Sequence, residues 1–264
     1  MPIRFIPLWV CFALAFSPGL FADTSGCPDR DAVLAAIEAI DPARGSRTTR
    51  FEVDAPIDLY ERAAQNVGKP MLDRDGKTVR GVLVIERPIE LIWKALNDEP
   101  HHALDGKYLP VRHSEVIDGT PRGQDRVLFQ YFKKAGIGRW WVTRVEMNER
   151  LFADSQGKIW ELVWEDLMDT VDTETPPIRS VAKDLSGLKR SYGAWLLLPV
   201  SPGCTLIEYF NHTEPGGFVS FAQGLMAKSS VRDTFEAIVR LGDEHLAAPG
   251  AEESFMRPDG TPLD

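Results

Sequence analysis

The stretch that most limits how this chain can fold lies near its end, where a strand, a glycine turn and a long helix follow one another. Leu206-Ile-Glu-Tyr-Phe-Asn-His212 reads as a strand, Thr213-Glu-Pro-Gly-Gly217 as the turn, and Phe218 to about Leu246 as the helix. Pro215 stops ladder pairing, and the two glycines permit the backbone angles of a sharp reversal. At about 1.5 Å per residue the helix is roughly 40 Å long. It is amphipathic and long enough to lie across a whole sheet.

The centre is rich in strands. Arg126 to Lys133, Arg139 to Asn148, Lys158 to Glu165, Ser191 to Val200 and Thr205 to His212 alternate or run apolar at strand length. Asp118-Gly119, Ala135-Gly-Ile-Gly138, Asp154-Ser-Gln-Gly157 and Ser201-Pro-Gly203 punctuate them as turns. Successive hairpins give an antiparallel sheet bracketed by helices, an α+β pattern. Before it, Pro28 to Ile40 reads as a helix capped by Asp29 or Asp31, and Ile57 to Val67 as a second helix. Residues 23–75 are therefore expected to form a helical arm, residues 76–246 the main domain, and residues 247–264 a disordered tail.

Lys77-Thr-Val-Arg-Gly-Val-Leu-Val-Ile-Glu-Arg-Pro88 adds a strand that runs into Ile89-Glu-Leu-Ile-Trp-Lys-Ala-Leu96, a short helix. A strand and short helix first, strands next and a long helix last resembles the START-like (helix-grip, SRPBCC) superfamily. The look is nearest to START lipid-binding domains, around Tyr192 to Val200 and Tyr209 to Phe218. The resemblance covers about Arg74 to Leu246. It implies a curved antiparallel sheet wrapped around the C-terminal helix, with a hollow between them. It further implies reversible binding of a lipid or other hydrophobic small molecule, as carrier or sensor. The competing implication is an enzyme similar to polyketide cyclases or dehydratases, in which Tyr131, Arg144, Glu146 or His212 would act on a ligand in that hollow.

The N-terminus reads as an export signal over residues 1–22. Arg4 begins it, Ile6 to Phe16 is apolar, and Leu20-Phe-Ala22 offers a cleavage site. The expectation is an exported bacterial protein, periplasmic or secreted. The chain has 30 basic and 39 acidic residues, a net charge of −9, and loss of Arg4 makes it one unit more negative. Such a chain is repelled by phosphate backbones and anionic headgroups, which excludes nucleic acid as a partner and limits membrane contact to transient encounters. Cys27 and Cys204 remain after the leader. They either pair, as is common in an oxidising compartment, or stay separate thiols.

Every tryptophan except Trp9 lies between Trp93 and Trp195. Strand alternation puts Trp160, Leu162 and Trp164 on one face, with Glu161 pointing oppositely. It likewise groups Trp141, Thr143, Val145 and Met147. On the last helix Phe218, Phe221 and Leu225 share a stripe, while Val231, Phe235 and Ile238 fall on another. Either the first stripe covers a pocket, or a bend re-aims one core face. Given the hollow that the resemblance implies, the expected ligand wall is Tyr131, Trp141, Thr143, Trp160, Trp164, Tyr209, Phe218, Phe221 and Leu225. Glu208 and His212 share a strand face that reads as solvent-exposed. His101-His102 reads as part of a surface loop, and the acidic segment 166–187 as a flap or a solvated insertion. No nucleophile elbow, phosphate loop or metal-ligand spacing occurs, so no catalytic residue, metal or cofactor is expected.

Overall fold

Strand alternation in the centre of the chain produces one large antiparallel sheet, and both of its faces find cover. In the computed structural model, residues 26–39, 41–103, 111–134, 137–214, 228–247 and 254–263 are described, with residues 41, 134, 137 and 228–230 known by backbone alone. Among them β1 (Met71–Asp75), β2 (Thr78–Ile85), β3 (Val111–Gly119), β4 (Asp125–Lys134), β5 (Ile137–Met147), β6 (Trp160–Asp166), β8 (Arg190–Ser201) and β9 (Cys204–Glu214) line up in the order β1-β2-β9-β8-β6-β5-β4-β3. The two-residue β7 (Ser186–Gly187) pairs in parallel with β5. β2 lies beside β9 from Thr78↔His212 to Ile85↔Thr205, so the start and end of the sheet are neighbours.

The inner face is covered by α3 (Ile89–Leu96) and the C-terminal helix, α7 (Lys228–Ala247). Val231, Phe235, Ile238 and Leu241 of α7 join Ile92 and Trp93 of α3 and Leu83, Leu197 and Ile207 of the sheet in one core. Gly81 on β2 makes room for the helix: a Cβ there would lie 2.7 Å from the Phe235 ring. The structure thus has the α+β, helix-grip arrangement. The helix stripe carrying Phe218, Phe221 and Leu225 lies outside the described residues, as do residues 1–25.

The outer face is covered by the arm and by a helix in the acidic segment. α1 (Arg30–Glu38), capped by Asp29 accepting from the Ala32 N–H at 2.9 Å, and α2 (Ile57–Gln65) pack Val33, Ile37, Leu59 and Ala63 onto Val82, Val84, Leu196 and Leu206. Cys27 is disulfide-bonded to Cys204, across 177 residues of sequence. Segment 166–187 is largely exposed or half-buried but is anchored to the sheet by one helix. Its α6 (Pro176–Ala182) buries Ile178 completely against Val127, Phe129, Trp140 and Val142.

Three further expectations need correction. Residues 71–75, assigned to the arm, are the edge strand of the sheet, because β1 continues directly into the β2 hairpin. The tail is ordered over 254–263: β10 (Phe255–Met256) pairs with β11 (Pro262–Leu263), Phe255 and Leu263 enter the inner core, and the Trp93 indole N–H donates to the Met256 carbonyl at 2.8 Å. Its few apolar residues suffice because the core already offers them a site.

The third correction concerns charge. Glu161 and Glu208 point away from α7, as alternation requires, yet they are buried beneath the arm. Arg47 donates to Glu161 at 3.0 Å, to Glu208 at 2.9 Å and to Asp54 at 2.6 Å, and Tyr60 donates to the other Glu208 oxygen. The Asn148 amide and the Thr48 N–H complete the shell of Glu161 at 2.7 and 3.1 Å. Burial alone would lower the pKa of Arg47, but the two carboxylates raise it, so the guanidinium stays charged. Burial and the adjacent Glu208 raise the pKa of Tyr60. Breaking a buried pair strands its partner's charge. Glu161→Ala should therefore cost about 3–5 kcal/mol in denaturant unfolding, against less than about 0.5 kcal/mol for the exposed Lys158→Ala. Equal effects would show that the network does not hold the arm.

Candidate functional site

The inner face and the two helices do not meet everywhere. Between them lies a cavity of about 280 Å³, walled by Leu128 and Gln130 of β4, Thr143 and Val145 of β5, Trp164 of β6, Trp195 of β8, Tyr209 of β9, and Val231, Thr234 and Ile238 of α7. Its aromatic side is tightly organised. The Tyr209 ring stands 4.3 Å from Trp195 and 5.9 Å from Trp164, the latter stacked, and Phe235 meets Trp195 edge-on at 5.5 Å. Trp164 can lie there only because its strand partner is Gly193, where a Cβ would come within 2.1 Å of the indole. A hydroxyl buried among rings loses hydration, which pushes the Tyr209 pKa above its ordinary value.

Of the expected wall residues, Trp141, Thr143, Trp164 and Tyr209 line this cavity. The Trp141 indole N–H is satisfied by Gln130 Oε1 at 3.0 Å. Trp160 shares their face but not the cavity. It lies four residues before Trp164 on β6, about 13 Å away at strand rise, where it packs edge-on against Trp93 at 5.4 Å in solid core. Tyr131 falls on the other face, because Arg126, Leu128 and Gln130 take the inward positions of β4, and it stacks on His113 at 5.5 Å. Phe218, Phe221 and Leu225 are outside the described residues.

The polar set of the enzyme reading does not reach the cavity either. Arg144 faces Asp125, Glu146 pairs with Arg50, and His212 stacks on Tyr192 at 4.7 Å on the outer face. Glu208 is not a solvent-facing companion of His212 but belongs to the Arg47 network.

The cavity has polar groups at both ends. Arg126 and Phe132 both line it and are six residues apart on β4, about 20 Å at strand rise. Phe132 pairs with Arg139, which lines that end, while Ser191 of β8 and Thr213 of β9 add polar groups to the wall at the level of Thr143. At the other end lie Arg126, Glu99 and His102, all buried. Glu99 and His102 belong to α4 (Glu99–His102), a single turn directly after α3. Arg126 donates through Nε to Glu99 Oε1 at 2.5 Å, through Nη1 to the Gly123 carbonyl at 2.7 Å and through Nη2 to Asn97 at 2.8 Å. His102 bonds the Ala95 carbonyl through Nε2 at 2.7 Å. His102 is thus a cavity residue and not part of a surface loop. The sequence signals were an arginine at an inward strand position, and Asn97-Asp-Glu99 directly after an apolar helix.

Beside this end, Asp98 gathers three partners. Its Oδ1 accepts from Arg122 at 2.7 Å, and its Oδ2 faces His101 Nδ1 at 2.6 Å and His245 Nε2 of α7 at 3.0 Å. Burial would raise the pKa of Asp98; the two imidazoles and Arg122 outweigh that and hold it well below the usual carboxylate range. Burial lowers the pKa of His102, so its ring is neutral in the folded protein. No group of three or more His, Cys, Asp or Glu side chains arranged to hold a metal occurs among the described residues.

This geometry defines an α+β helix-grip protein with an aromatic-walled internal cavity. No protein-family model matches the chain, and no curated protein matches it. Solved structures do match. A STAR-related lipid transfer protein fragment from Xanthomonas axonopodis is 16% identical with a TM-score of 0.47, over 68% of this chain and 99% of that one. Human StAR-related lipid transfer protein 5 is 11% identical with a TM-score of 0.47, over 82% and 98%. The Zhui aromatase/cyclase from Streptomyces sp. R1128 is 15% identical with a TM-score of 0.46, over 66% and 97%. The ligand has to be argued from the cavity itself.

The two buried acid–base groups set an acid limit on stability. The unfolded chain protonates His102 near its ordinary pKa of about 6.5, whereas the native ring resists, so stability falls as pH drops through that value. The contribution of Asp98 is present above about pH 3.9 and is lost below it. His102→Gln should flatten the first decline, by up to about 1.4 kcal/mol per pH unit, in unfolding measured from pH 7 to 5. An unchanged slope would show that His102 titrates equally in both states.

Proposed function

We propose that this protein reversibly takes up a compact hydrophobic molecule, a lipid or a related small molecule, in the cavity between sheet and α7, without turning it over. The observation that carries this reading is the cavity wall: Trp164, Trp195 and Tyr209 with Leu128, Val145 and Ile238 give it an apolar, aromatic lining. Apolar linings with a few placed polar groups suit small hydrophobic ligands. Hiding about 300 Å² of apolar ligand surface contributes on the order of 7 kcal/mol. That is near micromolar affinity before the cost of immobilisation is counted. The residues offered for catalysis by the sequence lie on the other face of the sheet, which favours carriage or sensing over chemistry.

The place of action we infer is outside the cytoplasm, in the periplasm or beyond the cell. The signal-like residues 1–22 and the Cys27–Cys204 disulfide both support it. The acidic net charge suits a carrier whose contact with an anionic membrane is brief.

Two experiments test this reading. Purified protein incubated with membrane lipid extracts and with small aromatic polyketides should retain a stoichiometric, chemically unchanged ligand by native mass spectrometry. Trp164→Ala and Trp195→Ala should weaken retention about tenfold or more, within the range that aromatic truncation costs, while Lys158→Ala leaves it unchanged. Conversion of any bound compound would replace the carrier by an enzyme. Separately, the intact mass of protein recovered from outside the cytoplasm should begin at Asp23, and a chain retaining Met1 would refute export by cleavage.

A further inference from the structure

We infer that the Glu99 end of the cavity receives a hydrogen-bond donor from the ligand, a hydroxyl or an amine, and turns away carboxylate and phosphate groups. This rests on the cavity being a ligand site, and it adds the polarity and orientation of what enters.

The argument is an inventory of donors and acceptors. Among the described residues Arg126 is the cation that lines this end, and each of its guanidinium nitrogens already donates within the protein, to Glu99, Asn97 and the Gly123 carbonyl. Asn97 spends its amide N–H on the Trp93 carbonyl at 2.9 Å. Because a carbonyl can only accept, the bond from His102 to Ala95 fixes the proton on Nε2 and leaves Nδ1 as an acceptor. Burial keeps that ring neutral. The remaining Glu99 oxygen, Oε2, is buried without a hydrogen-bond partner among the described residues, on a side chain only 1% exposed.

What this end still offers is therefore mainly acceptors, Glu99 Oε2 and His102 Nδ1, because both Nη2 hydrogens, the Nε hydrogen and one Nη1 hydrogen of Arg126 are committed. A buried carboxylate oxygen left unpaired is costly, so a ligand O–H or N–H placed there relieves a cost that the empty protein bears. An anion placed there meets a second carboxylate in a poorly screened interior. The opposite end is marked by Phe132 and its strand partner Arg139, six residues along β4 from Arg126 and about 20 Å away at strand rise. The ligand lies with its hydroxyl or amine toward α4.

A matched series tests this: 1-decanol, decylamine, methyl decyl ether and decanoate, titrated by tryptophan fluorescence and counted by native mass spectrometry. The wild-type protein should bind the alcohol and the amine at least about tenfold more tightly than the ether and decanoate. Glu99→Gln keeps a carbonyl oxygen for Arg126 but presents an amide N–H₂ to the cavity, so the preference for alcohol over ether should fall to within about threefold or reverse. Should Glu99→Gln fail to fold by circular dichroism, His102→Leu removes the second acceptor and should narrow the same ratio. Uptake of all four compounds with equal strength, or a preference for decanoate, overturns this inference and leaves the cavity reading standing. Uptake of none overturns both.

Discussion

A sheet buried on both faces must find a partner for every polar side chain that points from it. That requirement organises this protein. Each face carries a fully buried arginine–glutamate association: Arg47 with Glu161 and Glu208 on the outer face, Arg126 with Glu99 on the inner. The outer set is closed by Tyr60, Asn148 and the Thr48 backbone, so its carboxylate oxygens are satisfied. The inner set leaves Glu99 Oε2 without a hydrogen-bond partner among the described residues. The same pairing chemistry thus fastens the arm on one side and gives polarity to a cavity on the other.

The cavity follows from how bulk is distributed along neighbouring strands. Where β6 carries Trp160, the indole meets Trp93 of α3 and the layer is solid. Four residues further along the strand, Trp164 lies flat over Gly193 and stacks with Tyr209, so that aromatic area is gained without filling the space under α7. Asp98, holding Arg122 and facing His101 and His245, then sets how closely the far end of α7 approaches α3 and α4.

Much of this architecture was legible in the sequence, because it rests on periods. Alternation gave the inward parity of Trp141, Thr143, Trp164 and Tyr209, and the helical period gave the sheet-facing stripe of Val231, Phe235 and Ile238. What alternation cannot report is what lies opposite an outward residue. Glu208 reads as solvent-facing, and Glu161 only as outward, because nothing local announces that Arg47, more than a hundred residues earlier, covers them. Glu99 and His102 were hidden for a similar reason: a polar tetrapeptide after a helix looks like a surface loop until the Arg126 strand is placed beside it. The tail failed differently. Phe255 and Leu263 are too few to predict a folded segment, and their burial depends on a site built by distant residues.

The disulfide has a topological consequence. Cys27 and Cys204 are separated by 177 residues, so the covalent loop they close encloses both coverings of the outer face and most of the sheet. A protease that cuts the backbone once anywhere inside that loop releases nothing. The two pieces remain one covalent molecule, paired strand to strand, and the cut shows only when the cystine is reduced. The bond converts a break in the chain from a loss of material into a local opening.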